Sequence, residues 1–272
     1  MAKSNKVILC GIVKKPPIIN EEGDYGSLIL KTTIGSRYDG ENKKYKYVYN
    51  IVMSRDPAII TRMAELNAFD LIYIKGVIVT RNVTKIHTCK GCKSEISEKG
   101  QVVYVEPIFL EKISSPGEEN AQKELNNHEE ISNEVTIVGR ACTEPHKVPA
   151  NKKSKESSKY HIAITRTYRL KNSTEEEKTD YPIIHAFGDN AKMDLENVHK
   201  STMVVIDGYI QAYEKEVPCK CPNCGLEHKW KDHRMEIIPY ETEYVIRTEK
   251  SDREEDKEEN FDDIERAETL IR

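Results

Sequence analysis

The stretch from Cys219 to His233, CKCPNCGLEHKWKDH, combines three cysteines in the pattern C-x-C-x-x-C with two histidines. Thiolate and imidazole groups at this spacing are typical of a zinc knuckle, in which a tight turn lets two thiolates reach one tetrahedral ion. The candidate ligands are Cys219, Cys221, Cys224 and His228, with His233 as an alternative. The pattern predicts a structural metal site, because four protein ligands would leave no open position for catalysis.

The same turn occurs 132 residues earlier in the chain. Cys221, Cys224 and Cys219 are matched there by Cys89, Cys92 and His87. The offset holds without a gap from about residue 49 to residue 113. The chain is therefore two copies of one unit of roughly 110 residues, and each copy is large enough to bury its own core.

The metal ligands of the two copies are not equivalent. The first copy offers His87, Cys89 and Cys92 but no fourth soft ligand, since Ile96 and Gln101 occupy the positions of the two histidines. Two arrangements stay open at this point. Each turn binds its own zinc ion, or the two turns share one all-thiolate zinc through Cys89, Cys92, Cys221 and Cys224.

Composition and charge point to a cytosolic protein with an uneven charge distribution. The chain of 272 residues has a formal net charge of −4. Residues 249–272 carry eleven acidic and five basic side chains, so the rest of the chain can attract an anionic partner. No stretch reaches the ~18 apolar residues of a membrane span, and no signal peptide is evident. Seven cysteines without a secretion signal favour thiols and metal over disulfides.

Each copy has the order strand, strand, strand, helix, strand, strand, with helical spacing at 56–67 and 189–200. This order predicts a mainly all-β protein of two tandem five-stranded OB-fold barrels, each with a cysteine knuckle between strands four and five. Gly76 and Gly208 lie within the fourth strands, where a bend or bulge is expected. The predicted boundaries are a first barrel at 1–113, a flexible linker at 114–131, a second barrel at 132–248 and a disordered acidic tail at 249–272.

Three segments resemble the bacterial single-stranded DNA-binding protein family: NKVILCGIVKKP, NEVTIVGRACTEP and YPIIHAFGDNAKMDLENVHKSTMVVIDGYIQ. The second copy matches better, because it has Phe187-Gly188 where the first has Arg55-Asp56. Both copies depart from the family by the inserted knuckles. The resemblance implies non-specific binding of single-stranded DNA in replication, recombination, repair or transfer.

The resemblance places the Tyr49 and Tyr181 faces of the third strands toward DNA. Because side chains alternate along a strand, Tyr49 and Arg55 share one face of the first copy's third strand. Tyr181 and Phe187 share the equivalent face in the second copy. Each tyrosine is a base platform or a core residue, and Trp230 is a platform or the small core of its knuckle. The full candidate set for DNA is Tyr38, Lys46, Tyr49, Arg55, Arg166, Tyr168, Tyr181, Phe187 and Trp230.

No nucleophile elbow, phosphate-binding loop or paired acids occur, which favours a binding protein over an enzyme. The alternative function is a protein–protein adaptor of a replication or conjugation complex, built from the same barrels and zinc hairpins. The acidic tail loosely resembles the partner-recruiting tails of the family, so Phe261 and Ile264 are candidate partner contacts. Four barrels are usual in the family, and two per chain then imply a homodimer.

Overall fold

The computed structural model describes residues 4–39, 42–150, 156–166 and 179–245. The first copy contains β1 Ser4–Val13, β2 Ile18–Ile19, β3 Gly26–Asp39, β4 Asn42–Ser54, α1 Pro57–Ala64, β5 Leu71–Thr88 and β6 Glu95–Ser114. Between the copies lie α2 Gly117–Asn127 and a 3-10 turn, Glu129–Ile131. The second copy contains β7 Asn133–Ala141, β8 His146–Val148, β9 Ser157–Thr165, β10 Thr179–Asp180, β11 Ile183–Phe187, α3 Asp189–Asn197, β12 Met203–Lys220 and β13 Glu227–Val245. Among these ranges, no helix is both long and apolar enough to cross a membrane.

Each copy closes into a five-stranded barrel. In the first, β1 pairs with β3 and β5, β3 with β4, and β5 with β6, all antiparallel. A parallel contact between β4 and β6, Val52 opposite Val105, closes the ring. The second copy repeats this order, with Ile184 of β11 opposite Ile237 of β13. The predicted OB-fold topology is confirmed in both copies.

One helix follows the third strand of each barrel, as predicted. In α1 the Asp56 carboxylate accepts a hydrogen bond from the Ala58 N–H at 3.0 Å, and Pro57 occupies the first helical position. Pro is well placed there because its missing N–H would have no helical partner. The helix turns Ile59 and Met63 into the barrel core. Local capping therefore starts the helix, and apolar burial fixes its orientation.

The two mid-strand glycines mark bulges. The pairing register shifts between Lys75 and Gly76 in β5 and between Asp207 and Gly208 in β12. A Cβ at Gly208 would lie 2.2 Å from the Ile238 carbonyl oxygen, far inside van der Waals contact. Only glycine lets the two backbones approach this closely, so the bend that curves the fourth strand depends on it.

The fourth and fifth strands continue beyond the barrels as long hairpin arms. The first arm, residues 82–101, continues the pairing of β5 with β6 until Thr88 faces Glu95. The second arm, residues 214–233, does the same for β12 and β13 until Lys220 faces Glu227. The predicted cysteine turns lie between the fourth and fifth strands, at the tips of these arms, while Cys219 lies in the ladder opposite His228.

The two barrels join through their first strands. β1 and β7 pair antiparallel from Ser4 opposite Val138 to Leu9 opposite Asn133. Val7 faces Val135, its equivalent at the sequence offset of 128, so the contact is isologous within one chain. One apolar cluster extends from this junction into both barrels.

Two equivalent asparagines tie the first strands to the fourth. The Asn5 side-chain amide donates to the Ile78 carbonyl at 2.9 Å and accepts from the Ile78 N–H at 2.8 Å. Asn133 makes the same pair of bonds to Ile210, both at 2.9 Å. These buried bonds explain why both copies open on asparagine, since an unpaired buried backbone group is costly.

The segment at 114–131 is not a flexible linker. α2 buries Ala121 and Leu125 in a cluster with Cys10 and Leu71 of the first barrel. The polar composition suggested a solvated chain, but two apolar residues four positions apart are enough to dock one helical face. The segment therefore packs against the first barrel.

We expect Gly208→Ala to lower the free energy of unfolding by about 1–3 kcal/mol, because the new Cβ forces β13 away from the bulge. Chemical denaturation measures the change. Gly100→Ala is the matched control, since its Cβ would meet only the flexible Lys85 side chain, at 2.9 Å. Equal denaturation midpoints for the two variants would contradict the close-approach requirement at Gly208.

Candidate nucleic-acid interface and metal centre

The outer face of β3 and β4 is the exposed side of the first barrel. Lys31 pairs directly with Tyr49, and Ile29 pairs with Ile51 two residues further along the strands. Tyr49 is 40% exposed and Ile29 is 44% exposed, while Arg55 lies exposed at the end of β4. A face that carries an aromatic ring, cations and an apolar strip can stack a base on the ring while the cations attract the phosphates. We call Ile29, Lys31, Tyr49, Ile51 and Arg55 the first-barrel face.

The tip of the same hairpin carries further rings and cations. Tyr38 is 73% exposed and pairs with Lys43 across the hairpin. The Lys46 ammonium is exposed and donates to the side-chain oxygen of Gln211, on β12, at 3.1 Å. Lys46 therefore already bridges the two copies, whereas Tyr38 is open to solvent.

Helix α2 covers the neighbouring part of β4. The Tyr47 hydroxyl donates to the Asn126 side chain at 2.8 Å, and the Lys31 ammonium lies 4.3 Å from the centre of the Tyr47 ring. Lys31 also donates to Gln122 of the helix. Burial lowers the pKa of Lys31, and nearby Lys14 adds to the effect. The helix thus bounds the first-barrel face at one end.

The structure corrects the prediction for Tyr181, the equivalent of Tyr49. Its side chain is only 7% exposed and packs with Cys142 and Ala163. Its backbone N–H donates to the Thr80 hydroxyl of the first copy at 2.9 Å. Strand β11 begins two residues later, at Ile183, so Tyr181 lies in the junction between the copies. A base cannot stack on a ring buried in this way.

The structure also corrects the prediction for Arg166. Its guanidinium forms a buried ion pair with Asp180 at 2.7 Å. Asp180 in turn accepts a hydrogen bond from the Thr80 N–H at 2.8 Å. Arg166 is therefore used in the junction between the copies, where no nucleic acid can reach it. Tyr168, Phe261 and Ile264 lie outside the described residues, and their predicted roles are untested.

A polar network occupies the outer face of the second barrel. The Glu236 carboxylate accepts hydrogen bonds from Lys159 at 2.6 Å and Tyr213 at 2.7 Å, and lies 2.8 Å from His185 Nδ1. The other ring nitrogen of His185 is 2.9 Å from the Ser157 hydroxyl. Burial alone would raise the pKa of Glu236, but these hydrogen bonds lower it to about 2. Glu236 therefore compensates the positive charge of Lys159 on this face, unlike the cations of the first-barrel face.

Phe187 is the exposed ring of the second barrel. It is 37% exposed and its ring centre lies 4.1 Å from that of His185. The polar network beneath orients His185, so Phe187 is held on a fixed support. This side chain stays a candidate base platform.

Glu106 was not singled out from the sequence, although an acid within the apolar run VVYVEPIFL was an available signal. Its carboxylate is 6% exposed and accepts hydrogen bonds from the Ser54 hydroxyl at 2.8 Å and the Arg55 N–H at 3.4 Å. Burial raises the pKa of Glu106 to about 7, despite the hydrogen bonds and the nearby Arg81 and Arg166. The group changes charge near neutral pH, directly beneath Arg55.

Four thiols from the two arm tips meet at one point. Cys89 Sγ lies 3.7 Å from Cys224 Sγ, and Cys92 Sγ lies 3.6 Å from Cys221 Sγ. All four sulfurs lie within 4.8 Å of one another. We call Cys89, Cys92, Cys221 and Cys224 the four-thiol cluster. It corresponds to the shared arrangement of the two considered from sequence.

The local turns explain how the thiols reach this point. The Cys89 N–H donates to the Ser94 carbonyl at 2.9 Å, and the Cys221 N–H donates to the Leu226 carbonyl at 3.0 Å. Lys93 and Gly225, equivalent residues, both have a positive φ, of 63° and 71°. This left-handed residue closes the tip and turns both thiols to the same side.

The remaining predicted ligands lie together along the arms. His87, Cys219 and His228 form a second group within 4.8 Å, while Cys219 stays outside the four-thiol cluster. The separate arrangement, with Cys219, Cys221 and Cys224 on one ion, is therefore not the one that the arms build. Trp230 stacks on His87 with ring centres 4.9 Å apart and packs on the knuckle cysteines. Of its two interpretations, the small knuckle core fits this position.

Residues 132–219 match the sequence model of the single-strand binding protein family. This segment is similar in sequence to that family. It starts at the second copy's first strand and ends at Cys219 on the arm, in the copy that carries the stronger sequence resemblance. No curated protein sequence matches the chain.

Solved structures resemble the whole tandem arrangement. A deletion variant of the single-stranded DNA binding protein from Thermus aquaticus aligns with a TM-score of 0.57 and 15% identity over 91% of this chain and 97% of that one. The wild-type Thermus aquaticus protein aligns with a TM-score of 0.54 and 15% identity over 93% and 98%. At this identity the likeness shows the fold alone: the barrel that contains the matched segment is joined to a first barrel of the same topology.

We expect the stability of the protein to fall as the pH rises from about 4.5 to about 7 through Glu106. Folded Glu106 keeps its proton over this range while the unfolded chain releases it, so deprotonation favours unfolding by about 2–3 kcal/mol. Glu106→Gln keeps an acceptor for Ser54 and should remove this part of the slope. Urea denaturation at pH 5 and pH 8 measures it. Glu111→Gln, an exposed position on the same strand, is the control, and a wild-type slope in Glu106→Gln would contradict the assignment.

Proposed function

We propose that the chain binds single-stranded DNA without sequence specificity and that the first-barrel face is a principal contact. The observation that carries this proposal is the exposed Tyr49 ring directly opposite Lys31 on an outer barrel face. Base stacking is sequence-tolerant because every base has a π-face, and cations beside the ring follow the backbone. The sequence similarity of residues 132–219 to the single-strand binding protein family supports the same function.

The two barrels contribute unequally in this proposal. The first-barrel face offers Tyr49, Lys31 and Arg55, whereas the second barrel offers Phe187 above a network in which Glu236 already pairs with Lys159. We infer that phosphate attraction comes mainly from the first copy and that Phe187 adds stacking. Tyr38 extends the first-barrel face along the hairpin.

A binding role, rather than catalysis, fits the family that residues 132–219 match. Roles in replication, recombination, repair or DNA transfer follow from the likeness to a single-strand binding family. The adaptor hypothesis has less support, since it gives no function to an exposed ring beside lysine. Partner binding through Phe261 and Ile264 and assembly as a homodimer stay predictions.

We propose that the four-thiol cluster holds one structural Zn²⁺. Tetrahedral zinc with bonds of about 2.3 Å to sulfur places neighbouring sulfurs about 3.8 Å apart, close to the two separations of 3.6 and 3.7 Å. Soft thiolates select zinc over harder divalent ions. Because each copy gives two ligands, the ion would link the arm tips across 132 residues of sequence and stiffen the arms as one unit.

Replacing Tyr49 tests the DNA proposal. Tyr49→Ala should weaken binding of oligo(dT) about 5- to 100-fold, the loss expected for one stacked base. Tyr49→Phe is the matched control and should bind like wild type, because stacking needs the ring and not the hydroxyl. Fluorescence anisotropy of labelled oligo(dT) at low ionic strength measures the affinity, and added salt should weaken it. Equal affinities for Tyr49→Ala and wild type would reject the first-barrel face as the contact.

Replacing Cys221 tests the zinc proposal. Cys221→Ser should lose about one zinc ion per chain and accelerate amide hydrogen exchange in the two arms, while exchange in the barrels stays slow. Elemental mass spectrometry and hydrogen-exchange mass spectrometry measure these effects. Cys142→Ala, a buried core thiol, is the control and should keep the wild-type zinc content. Unchanged zinc in Cys221→Ser would contradict the proposal.

A further inference from the structure

A second group of soft ligands lies along the arms, apart from the four-thiol cluster. His87 comes from the first arm, and Cys219 and His228 come from the second. The His87 Nε2 and Cys219 Sγ atoms are 3.3 Å apart. A tetrahedral ion with bonds of about 2.0 Å to nitrogen and 2.3 Å to sulfur would separate the two ligands by about 3.5 Å. The spacing therefore fits ligands of one ion.

His228 is oriented as a ligand. Its Nδ1 lies 3.5 Å from the Leu226 carbonyl oxygen, so the proton of a neutral ring belongs on this nitrogen. Its Nε2 is buried and has no hydrogen-bond partner within the described ranges. Metal-bound histidines commonly donate their second nitrogen to a carbonyl in this way. Nε2 of His228 is thus the nitrogen placed to bind a ligand.

Trp230 holds the other histidine in place. Its ring is stacked on His87 with an interplanar angle of 8°, and the His87 and His228 ring centres are 5.6 Å apart. Cys219 is 9% exposed in the same apolar cluster as Cys89 and Cys221. The group is therefore pre-arranged, with Cys219 buried and the two histidines half-buried.

A hydrogen-bonded cluster without metal explains less. An N–H···S bond between His87 and Cys219 would account for their distance, but it would leave His228 Nε2 without a partner. A buried acceptor left without a hydrogen bond is destabilising. A metal ion satisfies the three donors of His87, Cys219 and His228 together.

The repeat itself explains why sequence counting missed this group. His87 and Cys219 are equivalent positions, and His228 corresponds to Ile96. Counting ligands within each copy could not find a group that takes His87 from one arm and Cys219 and His228 from the other.

We propose that His87, Cys219 and His228 form a second site for a divalent transition metal of the zinc type. The second site lies beside the four-thiol cluster and links the two arms at another level. The second site would bind its ion independently of DNA, so it does not depend on the proposed DNA binding.

Metal content of the full chain tests the second site. Wild-type protein, dialysed after expression with zinc, should contain about two ions per chain, and His228→Ala should contain about one. His233→Ala is the matched control, because this histidine lies on the same arm outside the group, and it should keep both ions. One ion in the wild type with no loss in His228→Ala would overturn the proposal.

Cobalt reconstitution separates the two sites. Thiolate-to-Co²⁺ charge-transfer absorption should persist in His228→Ala, since the four-thiol cluster is intact, while the contribution of a single-thiolate site disappears. In Cys221→Ser the pattern should be reversed. A spectrum that His228→Ala leaves identical to wild type would also reject the second site, and loss of all cobalt absorption in that variant would show one interdependent cluster instead.

Discussion

β1 and β7 pair antiparallel over six residue positions, and Val7 stands opposite Val135, its own equivalent in the repeat. This pairing relates the two barrels by a local two-fold operation. Each element of one copy then meets the reciprocal element of the other, as in a symmetric dimer. The two arms leave equivalent points of the barrels and therefore meet each other along their length. The four-thiol cluster exists because of this relation, since neither tip has four thiols of its own.

The reciprocal contacts are visible at the arm tips. Cys89 with Cys224 and Cys92 with Cys221 are the same pair seen from the two copies, at 3.7 and 3.6 Å. Below them, His87 and Cys219 face each other as equivalent positions with different side chains. Symmetric backbone geometry with asymmetric side chains gives an all-thiolate group at the tip and a mixed group beneath it. Gly76 and Gly208 serve this arrangement, because the bulges set the direction in which the arms leave the barrels.

The same asymmetry distinguishes the two outer faces. The first copy presents Tyr49 and Arg55 to solvent, while the second buries Tyr181 and pairs Lys159 with Glu236. Charge neutralised inside a network attracts phosphate weakly, whereas an exposed cation on the same face as a ring attracts it strongly. The two barrels share a fold and a topology, yet their outer faces differ in exposed rings and in unpaired charge.

The sequence by itself determined the repeat, the strand order and the bulge glycines, because strand alternation, capping residues and mid-strand glycines act within one element. It also determined that C-x-x-C turns present thiols in pairs. Only the tertiary structure decided which thiols meet, that Arg166 pairs with Asp180, that Tyr181 is buried and that the polar segment at 114–131 docks as a helix. The physical reason is that these outcomes depend on which segments pack together in three dimensions, within a copy as well as between the copies. Periodicity shows which side of an element is apolar, but it does not show which distant segment covers that side: Leu125 packs with Cys10, and Cys89 meets Cys224.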